Sequence, residues 1–545
     1  MAAVAEHLPH GPDRRGRRQP LLQPQPLLLL LSSGRQVRSE QTSAETRIGD
    51  TEPVKSHTAN SESDPIEKLR ALCSQVTESA TQQVAGSVAA VASQLAEPLR
   101  VVVAGGVSSG KSTLVNALIG RRVAAVDAGE CTRVVTEFRY GHQETATAVD
   151  LDGAEHRIAF DGHVLPAELP VPVDRVDRII VRLSNALLQQ ITIVDTPGVN
   201  TVTVENQTAA ERALGVQTTT AMAGAEAVLF LTPHAREAEA AILERIADLG
   251  RDTGFSSGNC IAVLSKVDLL ATEGDPMAIA ARLVDTTRER LDGLVGDVVP
   301  LVGLLAETVE AARFTERDAA TVAALAAVDD DLDREDMLLT AQDLLGWPGL
   351  ECDEEDRRRL LDRLGLYGIR TAIELHDDGV SGAAQLAARL VDRSGFALLR
   401  QLLVERFAER SRVLKAHRAI EDLRRISYAA GSDGRRLRRR IERIELDPSM
   451  IELGLIDSLR IFGSADVHMP HELKEDLDRL SASVDTRARL GVTEGEDLAA
   501  AALAAIGRWS EWSGDPRRSP EEANAAHSVR RVLEQIWHET QESKS

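Results

Sequence analysis

The residues best suited to chemistry lie between Val101 and Thr113, VVVAGGVSSGKST, where an apolar run meets a glycine loop that opens into helix-forming LVNALIG. Gly105, Gly110, Lys111 and Ser112 give G-x-x-x-x-G-K-S, the spacing of a phosphate-binding loop. Its backbone, through Gly106, Val107, Ser108, Ser109 and on to Thr113, can turn N–H groups toward a β-phosphate. Lys111 would reach the β/γ oxygens, and the Ser112 hydroxyl could ligate Mg²⁺ at the helix start. A glycine turn can match this spacing by chance, but β-branched Val101–Val103 before it and a helix after it supply the required context.

Two later loops carry matching chemistry. Ile191–Val194 is followed by Asp195-Thr196-Pro197-Gly198, where a carboxylate at a strand end suits a Mg²⁺ shell and the Gly198 N–H suits a γ-phosphate. Ile261–Leu264 is followed by Ser265-Lys266-Val267-Asp268, similar to the guanine-reading N/T-K-x-D with Ser in first place. Asp268 would accept from guanine N1–H and the 2-amino group; adenine offers neither donor, so GTP is favoured over ATP. Within CTRVVT, Thr132 is expected to cap Mg²⁺ and γ-phosphate. Thr136 is the alternative, although alternation would equally turn it to one side of a strand. A base-capping loop should follow Val298–Val302, yet Gly303-Leu304-Leu305-Ala306 lacks the serine often found there.

These loops need a scaffold. Short apolar runs at Val101–Ala104, Val134–Arg139, Ile179–Leu183, Ile191–Val194, Ala227–Leu231, Ile261–Leu264 and Val298–Val302 alternate with helical patterns. That predicts an α/β domain over residues 99–310, a mostly parallel sheet with helices on both faces. From Pro65 to Pro98, apolar residues recur every three or four positions, predicting one long helix whose partner is helical and later in the chain. Aromatics make up only 3% of the 545 residues while Ala and Leu abound, so the remainder, 311–540, reads as an elongated α-helical bundle.

Composition narrows the rest. A net charge of −22 argues against a general nucleic-acid binder. Cys73, Cys131, Cys260 and Cys352 form no C-x-x-C and read as small core residues of a protein in a reducing cytoplasm. Residues 1–63 read as a disordered tail or an over-long start: only Leu27–Leu31 run unbroken after the arginines, short of the ~7–15 residues of an export signal. No other window approaches the ~20 apolar residues of a membrane span, so a soluble or peripheral protein is expected.

GGVSSGKS, the threonine of CTRVVT, DTPG and SKVD, flanked by a long preceding helix and a long helical remainder, resemble bacterial dynamin-like GTPases. LLDRLGLYGIRTAI and SGFALLRQLLVERFAERSRVLKAHRAI resemble the helical region of the isoniazid-inducible dynamin-like proteins of actinobacteria, its C member in particular. The resemblance spans roughly residues 65–540. It implies a cytoplasmic large GTPase that uses Mg²⁺, self-associates through its GTPase domains or pairs with a dynamin-like paralogue, and acts on membranes, peripherally on the inner face of the plasma membrane. Two departures stand out: Val199 occupies the place of the Ras-like water-orienting glutamine, and Val107 that of a dynamin glutamine. Ser108 matches the dynamin serine that helps hold a monovalent cation, and with Lys111 and Thr132 completes the expected catalytic set. Asn200 and Thr201 are further candidates for positioning water. A regulatory GTPase or scaffold that acts on protein partners without remodelling lipid would share every one of these motifs.

In the helical half, Leu398, Leu402, Phe407 and Leu414 are expected to share a stripe, and DDDLDRED at 329–336 to break the pattern as a solvated connector. No metal-ligand motif stands out there; His468 and His471 read as surface residues. Arg435, Arg436, Arg438, Arg439, Arg440 and Arg443 crowd one helix, and Met450–Phe462 follows as an apolar segment. Together they read either as a contact for an anionic membrane or as a solvated arginine face, paired with the chain's acids and followed by a core helix.

Overall fold

The computed structural model describes residues 64–124, 134–166, 168–198, 221, 224–233, 243, 256–270, 275–463 and 467–542, which belong to one compact unit, 59–545. The expected tail, the Thr132 loop, Cys131, Val199, Asn200 and Thr201 lie outside the described residues.

Nine described strands, β1 Leu99–Gly105, β2 Val135–Tyr140, β3 Thr145–Asp150, β4 Glu155–Ile158, β5 Val176–Leu183, β6 Ile191–Asp195, β7 Ala227–Thr232, β8 Cys260–Leu264 and β9 Asp297–Pro300, form one sheet in the order β4-β3-β5-β2-β6-β1-β7-β8-β9. The run β6-β1-β7-β8-β9 is parallel. β2 joins it antiparallel through β6, pairs parallel with β5, and β3 and β4 close that side as an antiparallel hairpin. β1 is central because it can be apolar on both faces: Val101 and Val103 point into one layer, Val102 and Ala104 into the other, all at most 1% exposed. Each valine so buried contributes roughly 1.5–3 kcal/mol. The carboxyl ends of β6, β1, β7 and β8 therefore open on one edge, where a ligand is bound in such sheets.

The expected long helix is two helices, α1 Pro65–Ser79 and α2 Gln82–Ala96. Asp64 caps α1 by accepting from the Ile66 N–H, and Pro65 needs no donor partner in the first turn. The break has a cause outside the segment: the Thr81 N–H donates to Asp433 Oδ2 at 3.0 Å instead of continuing the helix. Both pieces then face one core, Leu69, Cys73, Val88 and Leu95 meeting Leu423, Leu437 and Ile441.

Two other expectations change. The acidic run forms a helix, Asp331–Met337, capped by Asp330 and anchored by buried Met337. The stripe through 398–414 is displaced: Leu398 is exposed, and Phe396, Leu399, Leu403, Phe407 and Leu414 are buried, because Leu403–Ala408 is a π-helical stretch that changes the spacing. Of the two readings of Met450–Phe462, the core helix is the one seen: Leu455, Ile456, Leu459 and Phe462 are buried against the C-terminal helices and the sheet. Packing is continuous across position 310, where Val302 and Leu305 share a core with Val322, Leu360 and Ile373.

Candidate functional site

The phosphate-loop segment runs from the end of β1 to α3, Lys111–Ile119. Gly105 is needed because a Cβ there would collide with the Leu231 carbonyl of β7, and Gly110, at φ +93°, supplies the left-handed cap of α3. Ser108 and Lys266 also adopt left-handed φ, 57° and 55°. They are two of three such non-glycine residues among those described, and both sit in the two loops singled out by sequence. Backbone strain of this kind collects where a ligand must be met.

Register brings the second loop onto the first. Asp195 lies beside Val103 across the β1–β6 ladder, and Thr196 is tied down by its hydroxyl and N–H, both donating to the Val103 carbonyl. Ser112 Oγ donates to Asp195 Oδ2 at 2.9 Å. Gly198 sits so close to the loop that a Cβ would lie 2.7 Å from Val107 Cα. Lys111, buried, donates to the Gly105 and Gly106 carbonyls at 3.3 and 2.8 Å. Burial lowers its ammonium pKa, against the pull of the Asp195 charge. Burial pushes the Asp195 carboxyl up to about 6 despite Lys111, Ser112 and the Thr196 N–H.

Polar atoms are left over at this edge. Asp195 Oδ1, Ser109 Oγ and Ser265 Oγ are buried without a hydrogen-bond partner, each at a cost of about 1–3 kcal/mol unless a ligand supplies one. An unsatisfied carboxylate oxygen beside a serine hydroxyl is a donor set that fits Mg²⁺. Ser265, Lys266 and Asp268 leave the end of β8, two strands from the loop and so about 10 Å along the sheet edge. The Ser265 N–H donates to the Thr232 carbonyl at 3.0 Å, fixing the turn. Burial raises the half-buried Asp268 carboxyl pKa, its own N–H and Lys266 opposing.

Sequence reasoning missed Asn116. It is fully buried on α3; its Oδ1 accepts from the Val123 and Ala124 N–H groups, and its Nδ2 donates to the Ala124 carbonyl and to Glu307 Oε1. It fixes the chain just before the segment containing Thr132; its signal was only a polar residue on an apolar helix face. Thr136 is buried in β2 directly opposite Asp195, so the alternative threonine does border the site. Gly303–Ala306 begins a helix, Gly303–Glu310, immediately past β9.

The model of the dynamin family matches residues 101–267, which carry the phosphate loop and Asp195–Gly198 and reach into the third loop as far as Val267. Isoniazid-induced protein IniC of Mycobacterium tuberculosis, in strains CDC 1551 / Oshkosh and ATCC 25618 / H37Rv, is 32% identical over 446 residues, spanning 77% of this chain and 86% of the relative. The chain belongs to the dynamin family. It is a GTP-hydrolysing enzyme resembling IniC. A solved oligomerised bacterial dynamin pair, described as sensing and tethering membranes over long range, aligns with 90% of this dynamin-like GTPase and 77% of its own chain. It does so at 13% identity and a TM-score of 0.29, too low for the superposition to carry an argument.

Proposed function

We propose that GTP binds across the ends of β6, β1 and β8, and that hydrolysis is coupled to self-association and to movement of the helical region at a membrane surface. The observation that carries the nucleotide part is the set of unpartnered buried atoms, Ser109 Oγ, Asp195 Oδ1 and Ser265 Oγ, on three separate loops at one sheet edge. In this reading Gly105–Thr113 and Gly198 hold phosphates, Ser265, Lys266 and Asp268 read the base, and Ser112 and Asp195 hold Mg²⁺, which neutralises charge developing on the phosphates. Lys111 leaves its own loop carbonyls to take the β/γ oxygens. Ser108, exposed at the lip of the loop, aids the transition state directly or through a monovalent cation, with Thr132 closing over the γ-phosphate. The working division is a GTPase region at 99–310 and a helical region made of 64–98 and 311–540.

The membrane part rests on the arginine helix, Gly431–Glu445. Leu437 and Ile441 are buried, while Arg435, Arg436, Arg439 and Arg443 are exposed on the outer side. Arg438 is spent on the Ser427 carbonyl and the Tyr428 ring. Among the described residues the other five have no carboxylate partner within 4.0 Å, although the chain carries −22 overall. Near an anionic leaflet each arginine contributes on the order of 1 kcal/mol. Among the described residues no helix is long and apolar enough to cross a membrane, and with Met450–Phe462 buried the contact is electrostatic. The test is GTP turnover against protein concentration, with and without anionic vesicles. Turnover per chain should rise with concentration and with vesicles, and Arg435, Arg436, Arg439 and Arg440 changed to Glu should abolish the vesicle effect. Rates indifferent to both would leave a GTPase that serves protein partners.

A further inference from the structure

In the helical half the fold brings together a histidine, a glutamate and an aspartate that no sequence motif joins. His417 and Glu421 are four residues apart on the Ser411–Ala429 helix and so share a face. Asp457 comes from the Ile451–Phe462 helix packed against it. One ligand atom from each lies within 4.8 Å of the others. His417 is buried and its Nε2 is 3.1 Å from Asp457 Oδ1, close to the ~3.3 Å that separates two donors on a tetrahedral zinc with bonds near 2.0–2.1 Å.

Arg424 contacts both Glu421 and Glu445, so a single guanidinium is shared between two carboxylates. Glu445 is held above the usual carboxylate range, by burial first, with the charges of Asp457, Glu421 and Glu442 adding to it and Arg424 opposing. Two carboxylates and an imidazole nitrogen that face one another in this way are a donor set that a divalent cation can satisfy.

We propose that His417, Glu421 and Asp457 form a binding site for a first-row divalent metal of the Zn²⁺ class, clamping these two helices together. One nitrogen and two oxygens suit zinc better than Mg²⁺ or Ca²⁺, which call for six or more oxygens. Glu421 would exchange Arg424 for the metal by rotating its side chain, leaving one coordination position to solvent. The site lies two residues from Lys415, which reaches Gln94 and Glu226 at the opposite end of the sheet from the nucleotide loops. It is independent of how GTP is read.

Equilibrium dialysis of full-length, chelator-stripped, nucleotide-free protein against ZnCl₂ tests the site, with MgCl₂ in parallel and thermal unfolding as a second readout. The expected result is one zinc per chain, a raised Tm with zinc and none with magnesium, and at least tenfold weaker zinc binding in both His417→Gln and Asp457→Asn. Far-UV circular dichroism and GTP binding should be unchanged in these variants. If either fails to fold, Glu421→Gln supplies the same comparison. Wild-type protein that takes up no stoichiometric zinc overturns the proposal. So does zinc held as tightly by the variants, which would then belong elsewhere in the chain.

Discussion

Replacing Lys415 by Met should destabilise the protein by about 3 kcal/mol, at the low end of the cost of breaking a buried ion pair. Lys415 and Glu226 are 8% and 9% exposed at the side chain, with Nζ 3.3 Å from Oε1. Lys415 also donates to the Gln94 carbonyl at 2.7 Å, and Glu226 Oε2 accepts from the Arg100 N–H at 2.7 Å. The pair thus joins α2, the start of β1, the start of β7 and the Ser411–Ala429 helix. Met keeps the packing of the lysine stem but strands a buried carboxylate. The estimate is at the low end because the Arg100 N–H remains and because burial already raises the Glu226 pKa, so the group can take a proton. That fixes the sign with pH: a raised carboxyl favours the folded state below the unfolded pKa of ~4.3 and loses that advantage as pH rises. The deficit should therefore be larger at pH 7.5 than at pH 5. Adding Glu226→Gln, which keeps the acceptor for Arg100 and removes the charge, should recover half or more. Urea unfolding followed at 222 nm measures all three proteins. A loss below about 1 kcal/mol, or a double variant no more stable than Lys415→Met, would mean that no stranded charge at Glu226 sets the cost.

Asp268→Asn should turn nucleotide preference from guanine toward xanthine, because the amide can donate to the xanthine 2-oxo group; competition binding that still favours GTP would mean another loop reads the base. Ser108→Ala should lower the single-turnover hydrolysis rate by on the order of 10- to 100-fold with little change in GTP affinity, and a loss confined to affinity would remove its role. Asp447 accepts from Lys68 Nζ at 2.6 Å and from Ser449, which hold its carboxyl down at about 2. Its stabilisation is present above the unfolded pKa of ~3.9 and fades as pH falls toward the folded value. Being partly exposed, it should contribute about 1 kcal/mol at pH 7. Urea midpoints of Asp447→Asn and wild type should converge between pH 4 and pH 2.5; a constant gap would assign the effect to packing.

What the sequence displayed was local chemistry. Nucleotide recognition asks for residue types at fixed spacing, so Gly105 to Ser112, Asp195 and Asp268 could be proposed as a site without knowing the sheet. Interior strands were legible because both faces are apolar. β3 and β4 were not, since an edge hairpin carries polar residues, although Asp152-Gly153, with Gly153 at φ +82°, is a strong turn signal. The break between α1 and α2 leaves no glycine or proline; its cause is Asp433, 352 residues away in the chain. The π-helical stretch at Leu403–Ala408 likewise displaces the buried stripe by packing rather than composition. Lys415 with Glu226, and His417 with Asp457, are long-range pairs that no spacing rule could join.

GTP recognition is tested most directly by equilibrium binding of GTP, in the presence of Mg²⁺, to wild type and to Lys111→Ala, with ATP as competitor. Lys111 is a buried charge committed only to its own loop carbonyls, and charge-assisted bonds to phosphate are worth about 1.5–3 kcal/mol each. Tight, guanine-selective binding by wild type is expected, with a loss on the order of 100-fold or more in the variant and circular dichroism unchanged. Equal affinity in the two proteins would contradict it.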